Sequence, residues 1–136
     1  MQVFIPFPRL SSVRFLDNKR LGNQIYREAY LLIKGWWPNH PVSKMWKGHK
    51  RQLAVYCLFG LKELKARGFN YPKWLKFYWD IFNSTKPCKY PFWYGDERVH
   101  SSHRAALLFK NYEWYSQFGW KEEPKINYYW PVGGNQ

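Results

Sequence analysis

Residues 39–68 read NHPVSKMWKGHKRQLAVYCLFGLKELKARG. Pro41 follows the turn-forming pair Asn39-His40 and stands where the first turn of a helix tolerates a missing N–H. Gly68 closes the stretch in the place a helix C-terminus favours. Between them Met45, Leu53, Tyr56, Cys57, Gly60, Leu61 and Leu64 recur at helical spacing along one face. The spacing predicts one long helix over about 41–67, apolar enough to be the centre of the molecule.

Upstream, Asp17 precedes Leu21, Ile25, Ala29, Leu32 and Ile33, which predicts an Asp-capped helix over about 17–34. Gly35 ends it, and Trp36-Trp37-Pro38 reads as a turn. Residues 1–15 carry Pro6 and Pro8 and read as an extended, proline-kinked arm. Downstream, Pro72 opens a shorter helix over about 72–83 with Leu75, Trp79 and Phe82 on one side. Residues 84–95 hold Pro87, Pro91 and Gly95 and read as a long loop of the kind that often carries function. A fourth helix fits about 96–110, with Ala105, Leu108 and Phe109 inward. From Tyr112 to Gly133-Gly134 the chain is aromatic and irregular. With no repeat and no strand alternation, the expectation is an all-α, compact single domain over residues 1–136, about four helices around a long central one.

Composition narrows the function. A 46% hydrophobic content argues against disorder. No apolar run approaches the ~18 residues of a membrane span, and MQVFIPFPRL lacks the basic start of a signal peptide. Cys57 reads as a small core residue, and it shares no metal-ligand spacing with Cys88. The expectation is a soluble, intracellular, cytoplasmic monomer. Lys and Arg number 22 against 9 Asp and Glu, a net charge of +13, and 22% of residues are aromatic. Solubility and a ring-rich core each account for one half of this. Together the two features favour a nucleic-acid partner: cations release counterions from phosphates, while rings stack on bases or wedge into a duplex.

Four clusters could carry chemistry on such a partner. Tyr26-Arg27-Glu28 sets a carboxylate beside a guanidinium, with Gln24 on the face of Glu28 and Arg20 on that of Arg27. This can hold an acid or base in place while arginine binds phosphate, although spacing alone favours a solvated ion pair. Asn39-His40-Pro41, followed by Lys44, Met45-Trp46, Lys47 and His49, places a histidine and cations near a helix N-terminus, whose free N–H groups suit phosphate. A capping histidine is the equal alternative. His100 and His103 are spaced as a metal pair could be, but no acid or cysteine completes a set, and His103-Arg104 reads better as a phosphate contact. Ser102 has no nucleophile elbow around it. Tyr128-Tyr129-Trp130-Pro131 reads as tail packing slightly more readily than as base stacking.

Taken together, these segments resemble the pyrimidine-dimer DNA glycosylase family, small phage and bacterial repair enzymes also called dimer-specific endonuclease V. The likeness is carried by Tyr26-Arg27-Glu28, by His40, by the exit Ala66-Arg67-Gly68-Phe69-Asn70, and by Tyr128, Tyr129 and Trp130. A broader branch is similar at Leu16-Asp17 with Arg20-Leu21-Gly22, at Asn39-His40-Pro41 with Met45-Trp46 and Gly48, at Ser102-His103-Arg104 and at Trp130-Pro131. The resemblance spans nearly the whole chain and rests on the order of short motifs. It implies an all-α fold, double-stranded DNA as partner and no cofactor or metal. It also implies a mechanism in which an N-terminal α-amine attacks C1′ of the damaged nucleotide and forms an imine. A first-helix glutamate assists, and the imine permits strand cleavage by β-elimination. On this resemblance Glu28 and the Met1 amine are the candidate catalytic groups, and Arg20, Gln24, Arg27, His40, Lys44, Trp46, His103 and Arg104 the candidate DNA contacts.

The chain departs from the family pattern at its start. The family's nucleophile is the amine of a threonine exposed by loss of the initiator methionine, followed by arginine; here Gln2 and Val3 stand in those places. A second side chain as large as Gln2 normally leaves the methionine in place, which moves the amine to Met1. Glu28 could then serve the imine route, or activate water and leave the strand uncut, or belong to a phage base-modifying enzyme. The rival readings are a non-catalytic DNA-binding protein of the same fold and a protein-binding factor anchored by Trp36, Trp37, Trp93 and Tyr94.

Overall fold

The computed structural model describes residues 1–133, and no strand occurs among them. The Gly134 of the expected tail lies outside these residues. A helix over residues 18–33 has three parts: α1 (Asn18–Asn23), a π-helical turn (Gln24–Glu28) and α2 (Ala29–Ile33). Then come α3 (Pro41–Trp46), α4 (Lys50–Ala66), α5 (Pro72–Ser84), α6 (Glu97–Lys110) and α7 (Tyr112–Tyr115). Short 3-10 turns occupy Leu10–Phe15 and Ser116–Phe118.

The expected central helix is two helices. Gly48 takes φ +81°, a left-handed value that glycine adopts without steric cost, and the chain restarts at Lys50. The break lets α3 turn Val42, Met45 and Trp46 into the core on its own axis. α4 keeps the predicted stripe, with Leu53, Tyr56, Cys57, Gly60, Leu61 and Leu64 buried, and packs against α5, α1, α2 and the Leu10–Phe15 turn. Gly60 marks the closest approach: a Cβ there would meet Ile25 Cδ1 at 3.2 Å and Leu21 Cδ1 at 3.3 Å. The helix over residues 18–33 can therefore lie directly on α4.

One face differs from expectation. On α6, Ala105 and Leu108 are buried, but Phe109 is 59% exposed, because the helix reserves its inner face for His100, His103 and Arg104. On α5 the core-facing side carries Tyr78, whose hydroxyl donates to the Ile25 carbonyl, whereas Leu75 and Trp79 open to solvent. Asp17 does precede α1, but its carboxylate makes no capping bond; it accepts from the Tyr115 hydroxyl at 2.5 Å and pairs with Arg20 at 3.1 Å. In the long loop Trp93 is buried and donates through Nε1 to the Met45 carbonyl at 2.9 Å, so it packs the core and is no surface anchor. Among the described residues no helix is long and apolar enough to cross a membrane.

Candidate active site

The N-terminal arm is extended, as its prolines suggest, but it runs through the interior: Val3, Phe4 and Ile5 are all buried. A buried backbone without a sheet must find partners among side chains. Gln24 and α6 supply them. Gln24 Oε1 accepts from the Phe4 amide at 3.0 Å, its Nε2 donates to the Gln2 carbonyl at 3.2 Å, and the Tyr56 hydroxyl donates to the Phe4 carbonyl at 2.7 Å. His103 Nδ1 accepts from the Ile5 amide at 3.0 Å, and His100 Nδ1 donates to the Ile5 carbonyl at 2.8 Å. Arg104 donates to the Pro6 carbonyl at 2.6 Å and pairs with Glu122 at 2.9 Å and with Glu97.

Four of the expected DNA contacts are buried in the fold, although Gln24 also lines the cavity that holds Met1. Gln24, His103 and Arg104 are buried and hold the arm, and Trp46 is buried against Trp93 and Tyr56. Burial pushes His103 down to about 3 and lowers His100 as well, and each ring accepts an amide hydrogen bond, His103 Nδ1 from Ile5 and His100 Nε2 from Gly95 at 3.1 Å, so both are neutral inside the fold. Neutrality matches the geometry, because a ring nitrogen that accepts an amide bond carries no proton there. Among the described residues no group of three His, Cys, Asp or Glu is placed to hold a metal ion.

The arm delivers Met1 to a cavity of about 330 Å³, whose wall also includes Glu28, Arg20, Lys19, Lys110 and Tyr128. Glu28 lies on the π turn, where the Ala29 amide reaches back to the Gln24 carbonyl. Such a widened turn is common at functional sites. Here it buries Gln24 and Ile25 together, then Glu28 and Ala29 together, so polar side chains enter the interior beside apolar ones. Oε1 of Glu28 accepts from Arg27 at 2.8 Å and from Asn23 Nδ2 at 3.3 Å. Oε2 is buried and has no protein partner. Tyr26, 54% exposed, forms part of the rim, and its ring passes over Gly22, where a Cβ would meet it at 3.3 Å.

His40 caps α3, its Nδ1 accepting from the Val42 amide at 3.1 Å. The capping reading of this residue does not isolate it from the cavity, because the N-terminal amine and Glu28 both act on its charge. Burial first, and then the positive N-terminal amine, hold its pKa below the usual imidazole value, while Glu28 pulls the other way. The His40 ring meets Trp130 edge-on at 5.6 Å, Trp130 meets Tyr128 at 5.6 Å, and Tyr128 meets Phe4 at 6.2 Å. The aromatic tail thus packs on the arm and walls the cavity. Burial raises Tyr128 to about 12; Arg20 opposes that shift and Glu28 adds to it.

Of the expected site residues, Met1, Arg20, Gln24 and Glu28 line one cavity, Arg27 pairs with Glu28, and His40 is close enough for the amine and Glu28 to act on its charge. Lys44 lies beside them in sequence on a second hollow of about 470 Å³, with Lys47, Lys50, Trp36 and Asn39. Lys19, Asn23, Lys110 and Lys50 were not singled out in the sequence as site residues, whereas Lys47 belonged to the expected cluster after His40. The lysines not singled out look like any solvated lysine in a chain of this charge, and of them only Lys19, beside Arg20, had a positional hint. A family model for pyrimidine dimer DNA glycosylase matches residues 1–80, which contain the arm, the π turn, His40 and α4. No curated protein and no solved structure matches the chain significantly.

Proposed function

The chain belongs to the pyrimidine dimer DNA glycosylase family, and on that premise we propose that it excises a damaged or modified pyrimidine from double-stranded DNA in the cavity shared by Met1 and Glu28. The observation that supports this most is Glu28 Oε2, a buried carboxylate oxygen without a partner on the wall of a cation-rimmed cavity. A buried polar atom left open is costly unless a ligand completes it. Arg27 and Asn23 occupy the other oxygen and fix the carboxylate's orientation.

The extruded nucleotide enters with its phosphates among Lys19, Arg20 and Lys110, at an extrusion cost of a few kcal/mol that is least for a damaged pair. Arg27 and His40 serve the same strand, and Lys44, Lys47 and Lys50 extend the cationic surface along it. The Met1 amine lone pair forms a bond to C1′ as the N-glycosidic bond breaks, and the base leaves with that electron pair and takes up a proton. Glu28 stabilises the positive charge that develops on the sugar. It then accepts the amine's proton and passes it to O4′ as the C1′–O4′ bond opens to the imine. Loss of a C2′ proton expels the 3′-phosphate by β-elimination.

The test is borohydride trapping on three duplexes, one with an abasic site, one ultraviolet-irradiated and one undamaged, with wild type and Glu28→Gln. The expected result is an adduct mapped to residue 1 on the abasic and irradiated duplexes. Glu28→Gln should lower trapping at least about a hundredfold and leave DNA affinity within about twofold. Base release without an adduct would transfer the nucleophile's role to a water held by Glu28. Neither adduct nor base release, with DNA affinity intact, would leave a DNA-binding protein.

A further inference from the structure

The other large hollow lies on the far side of α4. α4 and α5 form a hairpin joined by residues 67–71, and their outward sides leave a groove of about 460 Å³. Phe59, Phe69, Tyr71, Leu75 and Trp79 line it, each between 39% and 45% exposed. Five large apolar side chains in one open patch mark an interaction site more often than a free surface. α4 has two apolar faces. At Gly60 it lies on Leu21 and Ile25 of the helix that carries Glu28, and on its other face Val55, Leu58 and Phe59 line the groove. No residue is shared with the excision cavity, and α4 stands between the two.

Charge identifies the occupant. Lys62 and Lys65 line the groove, no carboxylate does, and neither lysine forms an ion pair among the described residues. Apart from Lys62, Lys65 and Asn70 the lining is apolar, so its occupant must bring an apolar surface to Phe59, Leu75 and Trp79, which the phosphate backbone of a duplex does not. Two neighbouring helices leave a groove that takes the side-chain ridge of a third. From Val55 to Lys65, α4 offers about 15 Å, roughly three turns of such a helix. We propose that this groove docks an amphipathic helix of a partner protein, with an apolar ridge that packs on Phe59, Leu75 and Trp79 and flanking acidic residues that meet Lys62 and Lys65. DNA and this partner can then be held at once.

The proposal is independent of the excision chemistry and is tested on the full chain. The probe is a fluorescein-labelled helical peptide of about sixteen residues, with Leu and Phe at i, i+3, i+4 and i+7 and Glu on both flanks. Fluorescence anisotropy should show saturable one-to-one binding. Leu75→Glu should weaken it about tenfold or more, and Lys62→Glu with Lys65→Glu should weaken it about tenfold and remove its salt dependence. A peptide with Lys in place of Glu should bind wild type about tenfold more weakly and regain affinity for the doubly reversed protein. Leu75 is exposed enough for the variant to fold, near-ultraviolet circular dichroism reports that directly, and both variants should keep wild-type affinity for DNA. Absence of saturable binding, or equal affinity for the Glu and Lys peptides, overturns the proposal. So does dodecanoate binding without peptide binding, which assigns the groove to a small amphiphile. A concentration-dependent dimer lost in Leu75→Glu assigns it to a second copy of the chain and overturns the proposal equally.

Discussion

Lowering the pH from 7 to 5 should cost this fold about 2 kcal/mol through His103 alone. The ring is buried and held at about 3, whereas an unfolded histidine titrates near ~6.5. Between those values the unfolded chain binds a proton that the native state refuses, so stability is fully present above ~6.5 and falls as the pH drops toward the folded value. At pH 5 the gap of about 1.5 units, at about 1.4 kcal/mol each, gives the figure. This is a large part of the ~5–15 kcal/mol that holds a domain together. His100, also lowered by burial, adds to the loss with the same sign. The assay is urea unfolding at both pH values for wild type and His103→Asn, whose amide oxygen can accept the Ile5 amide as Nδ1 does. The variant should be less stable at pH 7, because a cavity opens, yet lose about 2 kcal/mol less than wild type on acidification. Because His103 clamps the arm that carries Met1, borohydride trapping should fall with the same profile. If wild type and variant lose stability equally between pH 7 and 5, His103 is not the acid-sensitive latch of the arm.

Three further outcomes follow from particular contacts. Arg104→Ala should destabilise the fold by about 3 kcal/mol, read as a drop in the urea midpoint, because it strands Glu122 and the Pro6 carbonyl; unchanged stability with a lower DNA-binding salt slope would restore it to the phosphate surface. Lys19→Ala and Lys110→Ala should each reduce the slope of log K against log salt by about 0.9, and leave the midpoint within about 0.5 kcal/mol. Gly60→Val should cost about 2–3 kcal/mol in thermal unfolding, because its branches overfill the contact with Leu21 and Ile25; a wild-type melting temperature would mean that α4 is not seated there.

Local pattern sufficed for much of this protein. The apolar stripe of α4, the proline that opens α5 and the capping position of His40 are neighbours-in-sequence effects, so their positions were readable residue by residue. The likeness carried by Tyr26-Arg27-Glu28 and His40 pointed to the family whose model matches residues 1–80. The break at Gly48 was less visible, since one glycine between two apolar-periodic segments is compatible with a continuous helix until packing requires the turn.

What only the tertiary structure decided was the use of each polar side chain. His100, His103 and Arg104 are polar residues beside one another, and composition makes such residues candidates for a ligand. They face inward because Ile5 and Pro6, far away in sequence, bring unpaired amide and carbonyl groups into the core that water cannot reach. Gln24 is bound to the arm for the same reason. Glu28 shares its helix and its burial with Gln24, yet keeps one oxygen open at the cavity, and no local rule separates the two. Sequence determined which segments are helices and which residues could do chemistry. The path of one buried extended arm determined which of them remain free to do it.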